Sequence, residues 1–264
     1  MRTEALAGLY RFAVLRVLGA LMIREMITRY GRSWGGYVWA IVEPLGIITV
    51  LSIGLSQLLA APALGKSFLL FYATGYLPFY FFSNCAEQAG SAVAVNRELM
   101  QLPGVTPLAA ILARFFLTLL TLAVVGTIIL AVVALTLREG LRFDIARALQ
   151  GLGCAALLGL GMGVMNAVTF PFVPIWRQLW GLIRVPLMLT SGIFYTFGTL
   201  PAHVQAILWW NPVLHCIGAM RGAFYIGYRD DYVALGYVVA VALSLLILGL
   251  ALLGRHQHAI IESQ

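Results

Sequence analysis

The chain has 264 residues, of which 61% are hydrophobic and 10% charged, and it carries a net charge of +7. A soluble domain is about 25% charged, so a soluble enzyme is excluded; a nucleic-acid face is excluded too, because the arginines are scattered between apolar runs. This length holds one polytopic membrane domain, 1–264, and no separate soluble one, so any motor has to sit on another chain.

Residues 1–35 come first. Over 8–32 they are rich in apolar residues and free of proline, with Arg16, Arg24 and Arg32 on one i, i+4 ladder. That pattern predicts an amphipathic helix lying at the cytoplasmic interface. Arg11 and Arg16 interrupt the apolar run, and no small-residue cleavage pattern stands out, so the segment reads as retained and not as a signal peptide.

Charge-free windows then predict six membrane spans, at 37–60, 67–85, 115–137, 148–176, 185–197 and 232–254. An even number puts both termini on one side. The terminus-side segments hold eleven basic residues (Arg2, Arg11, Arg16, Arg24, Arg29, Arg32, Arg97, Arg114, Arg177, Arg184, Arg255) against six elsewhere (Lys66, Arg138, Arg142, Arg147, Arg221, Arg229). Both ends are therefore expected in the cytoplasm.

The first span carries Glu43-Pro44 about six residues inside its start. A carboxylate in lipid is costly and faces a pore, a partner or the protein interior, while the proline after it kinks the helix. Three readings stay open for Glu43: pore lining or gating, a buried hydrogen-bonded residue, and proton coupling. The second span holds Tyr72, Tyr76, Phe79, Tyr80, Phe81 and Phe82, too many for one interfacial belt, so some are expected to line a lumen where flat rings stack on sugar faces.

The loop 87–107 contains Asn96-Arg97-Glu98-Leu99-Met100-Gln101, followed by Pro103 and Pro107. It predicts a short cytoplasmic helix ended by prolines, a place for a soluble partner to push. In the fourth span Gly159 and Gly163 have GxxxG spacing, as do Gly218 and Gly222 later. Such spacing lets helix backbones approach closely, either within the subunit or across a subunit interface.

From Val185 to Met220 there are 36 residues without Lys, Arg, Asp or Glu, more than the ~20 that one helix needs to cross. Breaks at Gly198 to Pro201 and at Asn211-Pro212 predict one helix followed by re-entrant half-helices, a periplasmic gate over 198–228 between the fifth and sixth spans.

Other signatures are missing. Gly65-Lys66-Ser67 lacks the first glycine of a phosphate-binding loop, since position 60 is alanine. Cys85, Cys154 and Cys216 have no CxxC spacing and read as packing residues, and no HExxH metal motif occurs. The spans lack the carboxylate pairs of ion-driven carriers and, Glu43 apart, the acid, base and nucleophile groups of a membrane-embedded glycolipid enzyme.

Arg24-Glu25-x-x-x-Arg29-Tyr30-x-x-Ser33-x-Gly35-x-x-x-Trp39-x-x-x-Glu43-Pro44 resembles the entry into the first span of ABC-2-type exporter membrane subunits. Ser191-Gly192-x-Phe194-Tyr195, Leu200-Pro201, Asn211-Pro212 and Arg221-x-x-Phe224 resemble the same family's segment before its last span. Within that family the Glu-Pro form looks most like the inner-membrane permease of bacterial capsular polysaccharide exporters.

The resemblance implies an all-α permease of the inner membrane, not an enzyme, working as a homodimer. It implies two cytoplasmic ATPase subunits that hold ATP and Mg, a periplasmic adaptor and an outer-membrane exporter, with no cofactor or metal on this chain. The cargo it implies is a lipid-linked, usually acidic polysaccharide. O-antigen, teichoic acid or another amphipathic molecule is the alternative.

By the same resemblance, Asn96, Arg97, Glu98, Leu99, Met100 and Gln101 form the coupling helix. Arg24, Arg29 and Arg32 are expected to catch the charged head, since guanidinium pairs well with carboxylate and phosphate. Tyr37, Trp39, Glu43, Tyr76, Tyr80, Phe194 and Tyr195 are expected to line a channel on the dimer axis, built from the first, second and fifth spans.

Overall fold

The computed structural model describes residues 16–28, 35–101, 105–136 and 143–262. Among these the chain is entirely helical apart from turns. In order come α1 (16–28), α2 (Gly35–Ser56), α3 (Phe68–Gly90), α4 (Ala92–Val95), a 3-10 turn (Arg97–Gln101) and α5 (Pro107–Thr136). They are followed by α6 (Ile145–Phe172), α7 (Pro174–Thr190), a 3-10 turn (Phe197–Thr199), α8 (Ala202–Leu208), α9 (Pro212–Phe224) and α10 (Leu235–Glu262).

Four of these helices are long and apolar enough to cross a membrane: α2 from Val38, α5, α6, and α10 as far as His256. Of the other two expected spans, α3 has 23 residues, which at ~1.5 Å per residue is long enough. Its tyrosines and Asn84 lower its hydropathy. The reason is position: α3 is the central helix, buried from Leu70 to Ser83 with α2, α5, α6 and α9 around it, so protein and not lipid surrounds it.

Local chemistry sets the helix ends. Ser67 precedes α3 in extended conformation and accepts a hydrogen bond from Leu70 N at 3.3 Å; Asp144 does the same for α6 from Arg147 N at 3.1 Å. Both satisfy otherwise orphaned first-turn donors. At the other end of α6, Pro171 and Pro174 bracket a one-residue break at Val173.

The fifth helix departs from the charge-free window. It begins at Pro174 and ends at Thr190, where the window gave 185–197. Arg177 and Arg184 lie inside it, and the chain turns at Gly192, whose φ is +84°. Searching for uncharged stretches misses a helix whose arginine has its partners on a distant helix, here Ser83 and Glu87 of α3.

The glycines of α6 resolve their two readings in favour of packing within the subunit. A Cβ on Gly159 would lie 2.7 Å from the Phe82 carbonyl oxygen, and one on Gly163 2.5 Å from Ala89 Cβ, both on α3. On another side, a Cβ on Gly161 would lie 2.6 Å from the Ala242 carbonyl oxygen of α10. Alanine at any of these would drive the helices apart. Gly218 and Gly222 are filled likewise from inside the chain, by Tyr232 and by Arg147 with Asp230.

Candidate functional site

Tyr72, Tyr76, Tyr80, Ser83 and Glu87 follow one another on α3 at steps of four, four, three and four, so they share one helix face. Tyr76 and Tyr80 stack with ring centroids 5.6 Å apart, and Tyr72 meets Phe194 at 6.3 Å. Both stacked tyrosines are 6% exposed, so within one protomer they are covered.

Two charges from neighbouring helices converge on this face. Arg184 of α7 reaches it directly, and Glu43 lies on α2, which packs against α3. Glu43 is exposed while Pro44 beside it is buried, so the buried hydrogen-bonded reading of Glu43 does not hold in the protomer. Trp39, one turn earlier on α2, is 65% exposed. Arg184 donates to Ser83 Oγ at 3.3 Å and lies 3.8 Å from Glu87 Oε2. Arg184 was not among the residues singled out from the sequence. The available signal was its position in a helical run that also holds Arg177, two turns earlier on the same side.

The turn after α7 is held from beneath. Arg221 of α9, 1% exposed, donates through Nη1 to the Tyr195 carbonyl at 2.6 Å and through Nη2 to the Ile193 carbonyl at 3.1 Å. Its guanidinium lies over the Phe71 ring at 4.2 Å. Gly75 makes room for it: a Cβ there would sit 3.3 Å from Arg221 Nη2. A charge this deep is tolerated because carbonyl dipoles and an aromatic face replace water. Phe194 and Tyr195 are thus fixed through their backbone, half-buried beside the α3 face.

The Asn-Pro hinge ties the turn-back to the same place. Asn211 Oδ1 accepts from Val213 N at 3.0 Å, starting α9, while Nδ2 donates to Ser191 Oγ at 3.2 Å. His215, fully buried, accepts at Nδ1 from Ala234 N at 3.2 Å, so Nε2 carries the proton that it donates to the Trp209 carbonyl at 2.8 Å. Burial pushes the imidazole below its ordinary value of 6.5.

A second cluster joins α1 to the segment after α3. Arg24 Nη1 donates to Asn96 Oδ1 at 3.0 Å. Glu25, 7% exposed, pairs with Arg114 of α5 at 3.0 Å, and Arg114 also donates to Gln88 Oε1 at 2.9 Å and to the Ser91 carbonyl at 3.4 Å. Of the predicted coupling residues, Arg97 and Glu98 are exposed, Leu99 is half-buried, and Asn96 and Met100 are buried. Arg24, expected from the sequence to meet the cargo, touches Asn96 through Nη1 in the protomer and is otherwise exposed. Arg29 and Arg32 lie outside the described residues, as do the side chains of Tyr37 and Gln101.

A helical bundle with four helices apolar enough to cross a membrane, buried ion pairs and a turn-back before the last helix has the architecture of a polytopic membrane protein. The chain belongs to the ABC-2 type transporter family, whose sequence profile matches residues 16–225. It is 29% identical over 247 residues to the polysialic acid transport protein KpsM of Escherichia coli, covering 92% of this chain and 95% of that one. It is also 30% identical over 241 residues to the capsule polysaccharide export inner-membrane protein CtrC of Neisseria meningitidis serogroup B, covering 91% of each. The corresponding protein BexB of Haemophilus influenzae is 26% identical over 238 residues, 90% of this chain and 89% of that one.

Proposed function

We propose that this chain is the permease subunit of an ATP-driven exporter that moves lipid-linked capsular polysaccharide from the cytoplasm across the bacterial inner membrane. The observation that carries the proposal is the near full-length similarity to several capsule export permeases, in a chain whose α3 face of tyrosines packs against α2, which carries Glu43, and meets Arg184 of α7. Aromatic rings offer flat apolar surfaces to sugar faces, and Arg184 and Glu43 offer partners for acidic and hydroxyl groups.

In this reading α3 and α7 complete six spans, both termini face the cytoplasm, and α8 and α9 are re-entrant half-helices closing the periplasmic side. Two copies enclose the path between their α2, α3 and α7 helices, and opening it uncovers Tyr76 and Tyr80. Two ATPase subunits, which hold ATP and Mg, press on Asn96 to Gln101. The Glu25–Arg114 pair carries that stroke to α1 and α5. Arg29 and Arg32, with Arg24 once it leaves Asn96, receive the charged glycolipid head, and a periplasmic adaptor and an outer-membrane exporter receive the glycan.

The test is surface glycan on cells. Cells lacking the chain are expected to accumulate glycan inside and show none outside, and Arg24, Arg29 and Arg32 changed together to alanine are expected to reduce surface glycan severely. Normal surface glycan without the chain sinks the reading as a whole. Normal surface glycan in the triple variant removes those three residues from cargo capture.

A further inference from the structure

We infer that the groove between α5 and α6 is a binding site for one acyl chain of a bilayer glycerophospholipid, separate from the glycan path. These two helices are consecutive in the chain yet touch little, and the gap between them is a cavity of about 560 Å³. That lies within the ~300–1,000 Å³ of ordinary ligand sites. It is at the end of the bundle away from Arg97–Gln101, since it takes residues from the later half of α5 and the first turns of α6.

The lining is almost wholly apolar. Small residues (Ala123, Gly126, Ala131, Gly153) open the space, and Phe81 of α3 closes the back. The hydroxyl of Thr127 is already spent on the Ala123 carbonyl at 2.8 Å. A dry apolar cavity does not hold water, and α5 and α6 are both helices of membrane-crossing length and hydropathy. The occupant is therefore hydrocarbon.

The far end of the cavity says what kind. Phe143 and Phe224, 4.7 Å apart between ring centroids, separate it from a second hollow of about 390 Å³ lined by Asp144, Gly222 and Tyr225 among others. Beside Gly222 lies the Arg147 guanidinium, ion-paired with Asp230. An apolar slot leading to a hollow lined by Asp144, with the Arg147–Asp230 ion pair packed against its Gly222, suits one tail of a lipid whose head bears both signs of charge. A zwitterionic phospholipid is such a molecule.

Native mass spectrometry of the full chain tests this. Protein is exchanged into vesicles of equal phosphatidylethanolamine and phosphatidylglycerol, then extracted in mild detergent. The wild type is expected to retain one phosphatidylethanolamine per chain. Gly153→Phe puts a ring into the slot where a Cβ meets nothing within 4 Å, and is expected to retain on the order of tenfold less. Gly254→Phe, on α10 with equal room, is expected to retain as much as the wild type. If Gly153→Phe does not fold, Ala131→Phe fills the same slot from α5.

Equal retention by all variants, or none by the wild type, overturns the site, and selective retention of phosphatidylglycerol overturns the head assignment. A glycan-bearing lipid carried over from producing cells that the vesicle lipids do not displace overturns the bilayer source. Retention is read without transport, so it stands or falls apart from the export reading.

Discussion

His215 shows what a single side chain settles here. Nδ1 holds the Ala234 N–H and Nε2–H holds the Trp209 carbonyl, so only the neutral ring serves both. Because burial holds its folded pKa below the ordinary 6.5, the folded chain binds fewer protons than the unfolded one. Stability from this site is present above about pH 6.5 and is lost as pH falls below it. Thermal unfolding between pH 7.5 and 5.5 should show a falling midpoint in the wild type and a flatter one in His215→Phe. That variant should also be less stable at pH 7.5, by about 1–3 kcal/mol for each backbone group left unpaired. Arg184 makes a second residue-level prediction: Arg184→Gln keeps a donor for Ser83 but loses the charge, and export of an acidic glycan is expected to drop while helicity and melting stay near wild type.

At the scale of elements, the docking of α1 depends on charges that are out of water. The side chains of Arg114 and Glu25 are 10% and 8% exposed, and removing one member of a buried pair typically costs ~3–5 kcal/mol because the other is stranded. Arg114→Met is therefore expected to destabilise more than Glu25→Gln with Arg114→Met together. In reconstituted complexes the single change should leave ATP hydrolysis running while transport fails; if hydrolysis and transport fall in proportion, the pair does not transmit the stroke. The elements also show what could be read without coordinates. The Asn-Pro and Leu-Pro breaks and the glycine spacing of α6 were legible because each acts through its own backbone. The extent of α7 was not, because the partner that neutralises Arg184 lies about a hundred residues earlier in α3. Nor was the contact of Arg24 with Asn96, which depends on two segments meeting in space. The charge-free window at 67–85 did find α3, whose tyrosines are tolerated because four helices surround it.

The whole molecule leaves α2 and α7 at its edge. α2 exposes Val38, Trp39, Val42 and Glu43, and α7 exposes Leu182, Ile183 and Val185. A charge such as Glu43 on a lipid-facing surface is unfavourable, which supports the proposal that this face meets a second copy. Single cysteines at Trp39 or Leu182, cross-linked by a short bismaleimide in membranes, should give a species of doubled mass; one at Leu120 of α5, 61% exposed, should not. The opposite pattern would move the dimer contact to α5.

Arg221 has a further consequence, for the order in which the chain is assembled. Its guanidinium has no home until the Ile193 and Tyr195 carbonyls and the Phe71 ring are in place, and a bare cation costs several kcal/mol in apolar surroundings. During synthesis the segment carrying it has to wait in a wet compartment, such as the insertion machinery or the headgroup layer. It settles only when the earlier helices have gathered, which makes it one of the last pieces of the permease to seat.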